Sequence, residues 1–327
     1  MKKLFLFCVV VLLVSCDEGQ FVEDYVIEQV VEVCDTATVE PSLVRCNDEK
    51  LDTAICCLLQ EKMTKWQCSK GVVYVVETAI GALKAKVGLV KKDPRFVFCE
   101  DTYNDEQSVM MSGPTYLALL SSGYKPDDVI DTGSGIYKNV KDHNWHRGGY
   151  GELTLEKAFG CRSQVAFFKA KEKVFGNDEA RFQSIVDDYL CGQANSSMGM
   201  LTFYNAIAND GKMVRLHSEC NEVEVLNGQI ANIEYVRNLQ KGMRHAVTNG
   251  ICKKAAHEIV PVAACCRTFL KKDTIRRMEL CAYFPADTPK YTVMVILEKE
   301  GLPASAGLMC GSVTSEVVDL MVSGYLG

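Results

Sequence analysis

The sequence predicts an α/β fold of the α+β kind: a mainly antiparallel sheet with flanking helices and a helical subdomain. Three observations predict it. Two β-rich runs, Gly71–Val76 and Ala82–Val90, flank Ala79-Ile80-Gly81 and read as a hairpin. The middle of the chain carries helical periodicity. Three late strands, at 260–269, 278–284 and 291–297, are joined by connections too short for parallel crossovers, so they pair antiparallel.

In chain order, residues 51–65 place Leu51, Ala54, Ile55, Leu58, Leu59 and Met63 at helical spacing. After the hairpin, residues 114–121 form a helix that stops near Gly123, with Pro126 beyond. Residues 131–151 (DTGSGIYKNVKDHNWHRGGYG) read as loop. Helices are expected at 153–174, 178–189 and 199–210, the last stopped by Asn209-Asp210-Gly211. Residues 212–234 alternate as a hairpin around Asn227-Gly228. A helix at 236–248 closes on Asn249-Gly250, and the chain ends with a helix from Ser312 to Met321.

The 327 residues carry 36 Lys+Arg against 42 Asp+Glu, a formal charge of −6, with 48% hydrophobic and 24% charged residues. These values exclude disorder, collagen and coiled coil, and fit one large domain or two modest ones. Mild acidity gives no reason to expect a nucleic-acid partner. Sixteen cysteines are many for a reduced compartment, yet there is no CxxC and no Cys/His spacing of the zinc type. No metal and no other cofactor is expected.

Lys2-Lys3 precede an apolar run from Leu4 to Val14, then Ser15-Cys16, which is the layout of a secretory signal. Eleven apolar residues are too few to span a hydrocarbon core of ~30 Å. Leu13-Val14-Ser15-Cys16 resembles a bacterial lipobox, which implies cleavage before Cys16 and lipidation of that cysteine. A plain signal peptide with a chance cysteine is the alternative. The resulting organisation is a signal at 1–15, an anchor segment at 16–45 and one domain at 46–327. Export permits disulfides. The irregular spacing of the remaining cysteines favours buried small hydrophobes with one or two bridges.

Five strings then carry a resemblance: VVYVVETAIGALKAKVGL (72–89), KPDDVIDTGSGIY (125–137), DHNWHRGGYGELTLEKAF (142–159), LTFYNAIANDGKMVR (201–215) and GLPASAGLMCGSV (301–313). In this order they resemble the transpeptidase domain of class B penicillin-binding proteins, most of all the division-type enzymes of Bacteroidetes. The resemblance implies a β-lactamase/transpeptidase-like fold. It also implies cleavage of D-alanyl-D-alanine stem peptides through an acyl-serine, which β-lactams acylate too. Ser-x-x-Lys sets nucleophile and base on one helical face. Ser-x-Asn adds a proton relay, and Lys-Thr-Gly a clamp for the substrate carboxylate.

The sequence departs from all three. Counting back from Gly123, Val109 holds the nucleophile position and Ser112 the lysine position; one step earlier, these become Ser108 and Met111. Arg162-Ser163-Gln164 replace Ser-x-Asn, and Cys265-Cys266-Arg267 replace Lys-Thr-Gly. The literal Ser-x-x-Lys, Ser122 to Lys125, falls at the far end of the helix and reads as coincidence. The resemblance implies that Cys265 faces the groove and Cys266 the core; the expectation is that Arg162 and Arg267 activate Cys265 and that it bridges to Cys161 if their Cα atoms lie within ~7 Å, the alternative being two inert, buried thiols.

Asp142, His143 and His146 read as hydrogen-bonding loop residues, with a metal site as the rival. His217, His245 and His257 read as surface residues, and Tyr103, Tyr150 and Tyr204 as packing. Lys253-Lys254, Lys271-Lys272 and Arg276-Arg277 read as solvated faces. The expected protein is a lipid-anchored envelope pseudoenzyme facing the periplasm. Its partners are peptidoglycan stem peptide or wall-synthesis and division proteins. The rivals are an active serine D,D-transpeptidase or carboxypeptidase with Ser108 as fallback nucleophile, and a thiol activity at Cys265-Cys266.

Overall fold

Each long strand alternates between two environments, and that alternation builds the molecule. The computed structural model describes residues 48–99, 108, 110–193, 196–219 and 222–325. The expected signal, Cys16, the segment 16–45, Tyr103 and Val109 lie outside the described residues. The described residues belong to one compact unit.

The helices are α1 (Glu49–Trp66), α2 (Ser112–Ser121), α3 (Leu155–Cys161), α4 (Gln164–Phe175), α5 (Glu179–Leu190), α6 (Ser197–Ala208), α7 (Ile233–Thr248) and α8 (Ala306–Tyr325). The strands are β1 (Cys68–Glu77), β2 (Ala82–Lys92), β3 (Arg95–Phe98), β4 (Val129–Asp131), β5 (Ile136–Tyr137), β6 (Val140–Lys141), β7 (Glu152–Thr154), β8 (Met213–Val214), β9 (Val225–Asn227), β10 (Ala263–Lys272), β11 (Ile275–Phe284) and β12 (Tyr291–Glu300). Six of them form one antiparallel sheet in the order β10-β11-β12-β1-β2-β3. The early hairpin and the late strands therefore share a sheet, as the sequence predicts.

Strand period two splits the core. Val73, Val75, Leu280, Val295 and Leu297 face α1 and α8. Val72, Tyr74, Cys281, Tyr283 and Ile296 face the helices from the middle of the chain. Helix α1 buries Leu51, Ile55, Leu58, Leu59 and Met63, one stripe of its surface. It lies so close to β1 that a Cβ on Gly71 would come within 2.7 Å of Met63 Sδ. Helix α8 is apolar because Met309, Cys310, Val313, Val317 and Met321 are covered by the sheet.

Two expected elements are corrected. The helix expected over 153–174 breaks at Arg162, whose φ of 55° is left-handed, and Ser163 caps a new helix. The hairpin expected over 212–234 is only β8 against β9, with its turn between residues 214 and 225. Asn227 does not turn that hairpin. Its Oδ1 accepts the Gln229 N–H at 2.8 Å and bends the chain toward α7. Strand β3 and the short β4–β7 and β5–β6 pairs were not expected; two- to four-residue strands carry too little alternation to read.

Candidate functional site

Of the three segments expected in place of the family triplets, the start of α2 and β10 meet at Tyr204, while Arg162 of the third lies near Cys266 and Arg267 of β10. Tyr204 is fully buried. Its hydroxyl donates to Met110 O at 2.8 Å and accepts the Gly113 N–H at 3.1 Å. It thereby satisfies an amide at the start of α2, where Met111 supplies no side-chain cap. Burial pushes the Tyr204 pKa well up, and the nearby Cys265 thiol adds to this. The interior beside the first turn of α2 is thus filled by Met110, Tyr204, Cys265 and Cys281.

Ser108 and Met111 are the candidates of one register, Ser112 the described member of the other. Ser108 is fully buried. Its Oγ donates to Glu279 Oε2 at 2.7 Å and accepts the Met110 N–H at 3.3 Å. Glu279 Oε1 accepts from Arg277 Nε at 2.8 Å. Arg277 Nη1 reaches Glu298 Oε1 at 3.4 Å, and Lys271 Nζ reaches the same oxygen at 2.9 Å. Arg277 is 2% exposed and Glu279 0%. Arg277 and Glu279 alternate with apolar residues along β11, and with Glu298 of β12 they form a buried ionic chain beneath Ser108 that Lys271 of β10 extends toward the surface. The solvated face expected at Arg276-Arg277 is corrected for Arg277, because strand alternation turns it inward.

The loop between α3 and α4 holds Arg162, Ser163 and Gln164. Ser163 is buried; its Oγ donates to both Asp142 oxygens at 3.0 and 2.9 Å and accepts the Ala166 N–H at 3.0 Å. The same carboxylate accepts the Val165 N–H at 3.1 Å. Asp142 therefore pins the loop from twenty residues away, and its string does hydrogen-bonding work. Gln164 is exposed on the first turn of α4. His143 meets the Tyr150 hydroxyl at 3.0 Å, while burial and then Arg162 hold its pKa below the usual imidazole value. Among the described residues no His/Cys/Asp/Glu group is arranged to hold a metal.

On β10, Cys265 packs with the α2 and α6 side and Cys266 with the α8 side, the facing expected from strand alternation. Both are buried, as the inert-thiol alternative expects, and the expected activation of Cys265 is corrected. Burial, then Cys281, pushes the Cys265 thiol well above its ordinary value. The Cys266 thiol is lowered by a hydrogen bond from Cys252, with Arg162 adding to that against burial. Cys161 is pushed up to about 11 by burial. All eleven described cysteines are free, so the expected bridge between Cys161 and Cys265 is absent. For Cys265, depth explains the correction: a thiolate in an apolar interior loses solvation that no nearby cation returns.

Arg267 stands opposite Glu279 in the β10–β11 register. Burial lowers its pKa, the neighbouring Arg162 adds to this, and Glu279 opposes it. The Nε atoms of Arg162 and Arg267 are both buried without an acceptor. The Ser122–Lys125 motif lies at the far end of α2, with Lys125 exposed; ten residues of helix place it ~15 Å from the first turn.

Sequence reading missed Glu279, Arg277 and Tyr204. The signal for the first two was present: charges at i and i+2 inside a strand whose other face is apolar. Tyr204 gave none, because a buried aromatic at helical spacing reads as packing.

The family description Penicillin binding protein transpeptidase domain matches residues 176–319. Among solved structures, the chain is similar to the apo transpeptidase domain of Burkholderia pseudomallei penicillin-binding protein 3. That match has a TM-score of 0.71 at 16% identity and covers 88% of this chain and 97% of the other. A peptidoglycan glycosyltransferase from Burkholderia ambifaria matches with a TM-score of 0.68 at 17% identity, covering 85% and 97%. At such identities the likeness shows the fold, which is that of penicillin-binding-protein transpeptidase domains. No curated protein matches the chain.

Proposed function

We propose that this chain is a class B, division-type transpeptidase-domain protein of the bacterial envelope that binds wall peptide or a wall-synthesis partner without cleaving peptide bonds. Ser108 carries the reading. It is the serine nearest the nucleophile position, it is fully buried, and its proton is donated to Glu279. No lysine occupies the base position in either register, where Ser112 and Met111 stand. Losing a nucleophile alone can cost on the order of 10⁶ in turnover. Arg162 and Arg267 supply unpaired positive charge where the family holds its substrate, which suits a carboxylate-bearing peptide. The lipobox supports a tether at Cys16 and residence on the periplasmic side of a membrane.

One observation favours the rival enzyme: Ser108 Oγ lies 2.7 Å from a carboxylate, the distance a general base needs. Two facts weigh against it. The hydroxyl has no exposed surface, and Arg277 draws on the same carboxylate. Incubation with benzylpenicillin followed by intact-mass and peptide mapping separates the readings. The unmodified mass is expected; a stoichiometric adduct on Ser108 would establish the enzyme instead.

A further inference from the structure

A cavity of about 620 Å³ opens between α7, the start of α3, the turn after α6 and the end of β11. It contains none of the positions that replace the family triplets. One wall is a stripe of α7 in which Arg237, Lys241 and Arg244 follow at steps of four and three. The opposite face of that helix buries Val236, Leu239, Met243 and Val247, so the stripe cannot turn away. Glu156, Asp210 and Asp287, carried on other elements, line the same space.

Six charges of both signs thus line one space. Among the described residues, none of them closes an ion pair with another within 4.0 Å. Arg244 Nη1 is buried and has no acceptor. Asp210 is held beside α7 by Gln240, whose Nε2 donates to its Oδ1 at 3.1 Å and to Ile207 O at 2.7 Å. An orphaned buried donor marks a place for an acceptor that the chain does not supply. A wholly cationic wall would suit any anion. Groups of opposite sign on separate elements, with no ion pair between them, suit a ligand carrying both charges.

From this arrangement we infer that the α7 cavity binds a small zwitterion, a free amino acid or short peptide. Its carboxylate lies on Arg244 and its ammonium on the Asp210 and Asp287 side. The site is separate from the sheet face under α2 and stands or falls independently of the wall-peptide reading.

Isothermal titration of the full chain with glycylglycine tests it, beside N-acetyl-glycylglycine and glycylglycinamide, which each lack one charge. Glycylglycine is expected to bind at submillimolar concentration, and each blocked form to lose about tenfold or more. Arg244→Gln and Asp287→Asn are expected to lose about as much, with unchanged melting temperature. If R244Q does not fold, R237Q replaces it. The inference is overturned by no binding up to roughly 10 mM, or by equal binding of the three peptides. Inorganic phosphate binding where glycylglycine does not would likewise overturn it, leaving a plain anion site.

Discussion

The two faces of β11 differ at every second residue. Met278, Leu280, Ala282 and Phe284 enter a core made with α1 and α8 that is almost wholly apolar. Arg277, Glu279, Cys281 and Tyr283 lie on the other face, where two buried charges sit among the hydrophobes. The first face gains from every atom removed from water. The second loses on desolvating its ions and recovers that loss only while every partner is present. The apolar face therefore gains residue by residue and the charged face only as an intact set, and mutations should respond differently.

The largest effect is expected from Arg277→Met, which strands Glu279 and Glu298 without their guanidinium. It should cost about 3–5 kcal/mol in urea unfolding. Combining it with Glu279→Leu should cost clearly less than the sum; additive losses would show that the ionic chain is not a unit. On the apolar face, Leu280→Ala should cost about 3 kcal/mol, with no coupling to Arg277. A non-additive double mutant there would break the picture of two independent faces. Ser163→Ala comes next, at about 1–2 kcal/mol, because it removes a helix cap and a donor to buried Asp142. A change below a few tenths would mean that Asp142 holds the loop through Val165 alone. The mildest test is chemical. Under native conditions a thiol reagent should label exposed Cys57 first, and should reach Cys265 and Cys266 only on unfolding. Early labelling of Cys265 would restore the activated-thiol expectation.

The sheet was legible because its strands write apolar, β-branched runs over six or more residues, as in Gly71–Val76 and Tyr291–Leu297. The break at Arg162 was not, because helical periodicity runs through CRSQVAF on both sides of it. Only a carboxylate from a distant loop, Asp142, makes the cap at Ser163 worth forming there. At the candidate site the positions could be read but their environment could not. Two cations expected near Cys265 suggested a thiolate, and only depth shows that burial opposes it. Arg277 was misread for a related reason. Four cations within seven residues look solvated until pairing with β12 fixes which of them points inward.

The order of the strands also sets a clock. Thr78 at the end of β1 bonds Thr292 at the start of β12, 214 residues away, at 3.0 Å. The ribosome finishes the first hairpin long before its neighbour exists. At ~5–20 residues per second, β1 waits roughly 10–45 s for β12. Throughout that interval an edge rich in valine has open backbone groups and nothing of its own to pair with. Newly made chains of this protein thus pass through an aggregation-prone stage that the finished fold conceals, and getting through it falls to whatever shields the nascent chain.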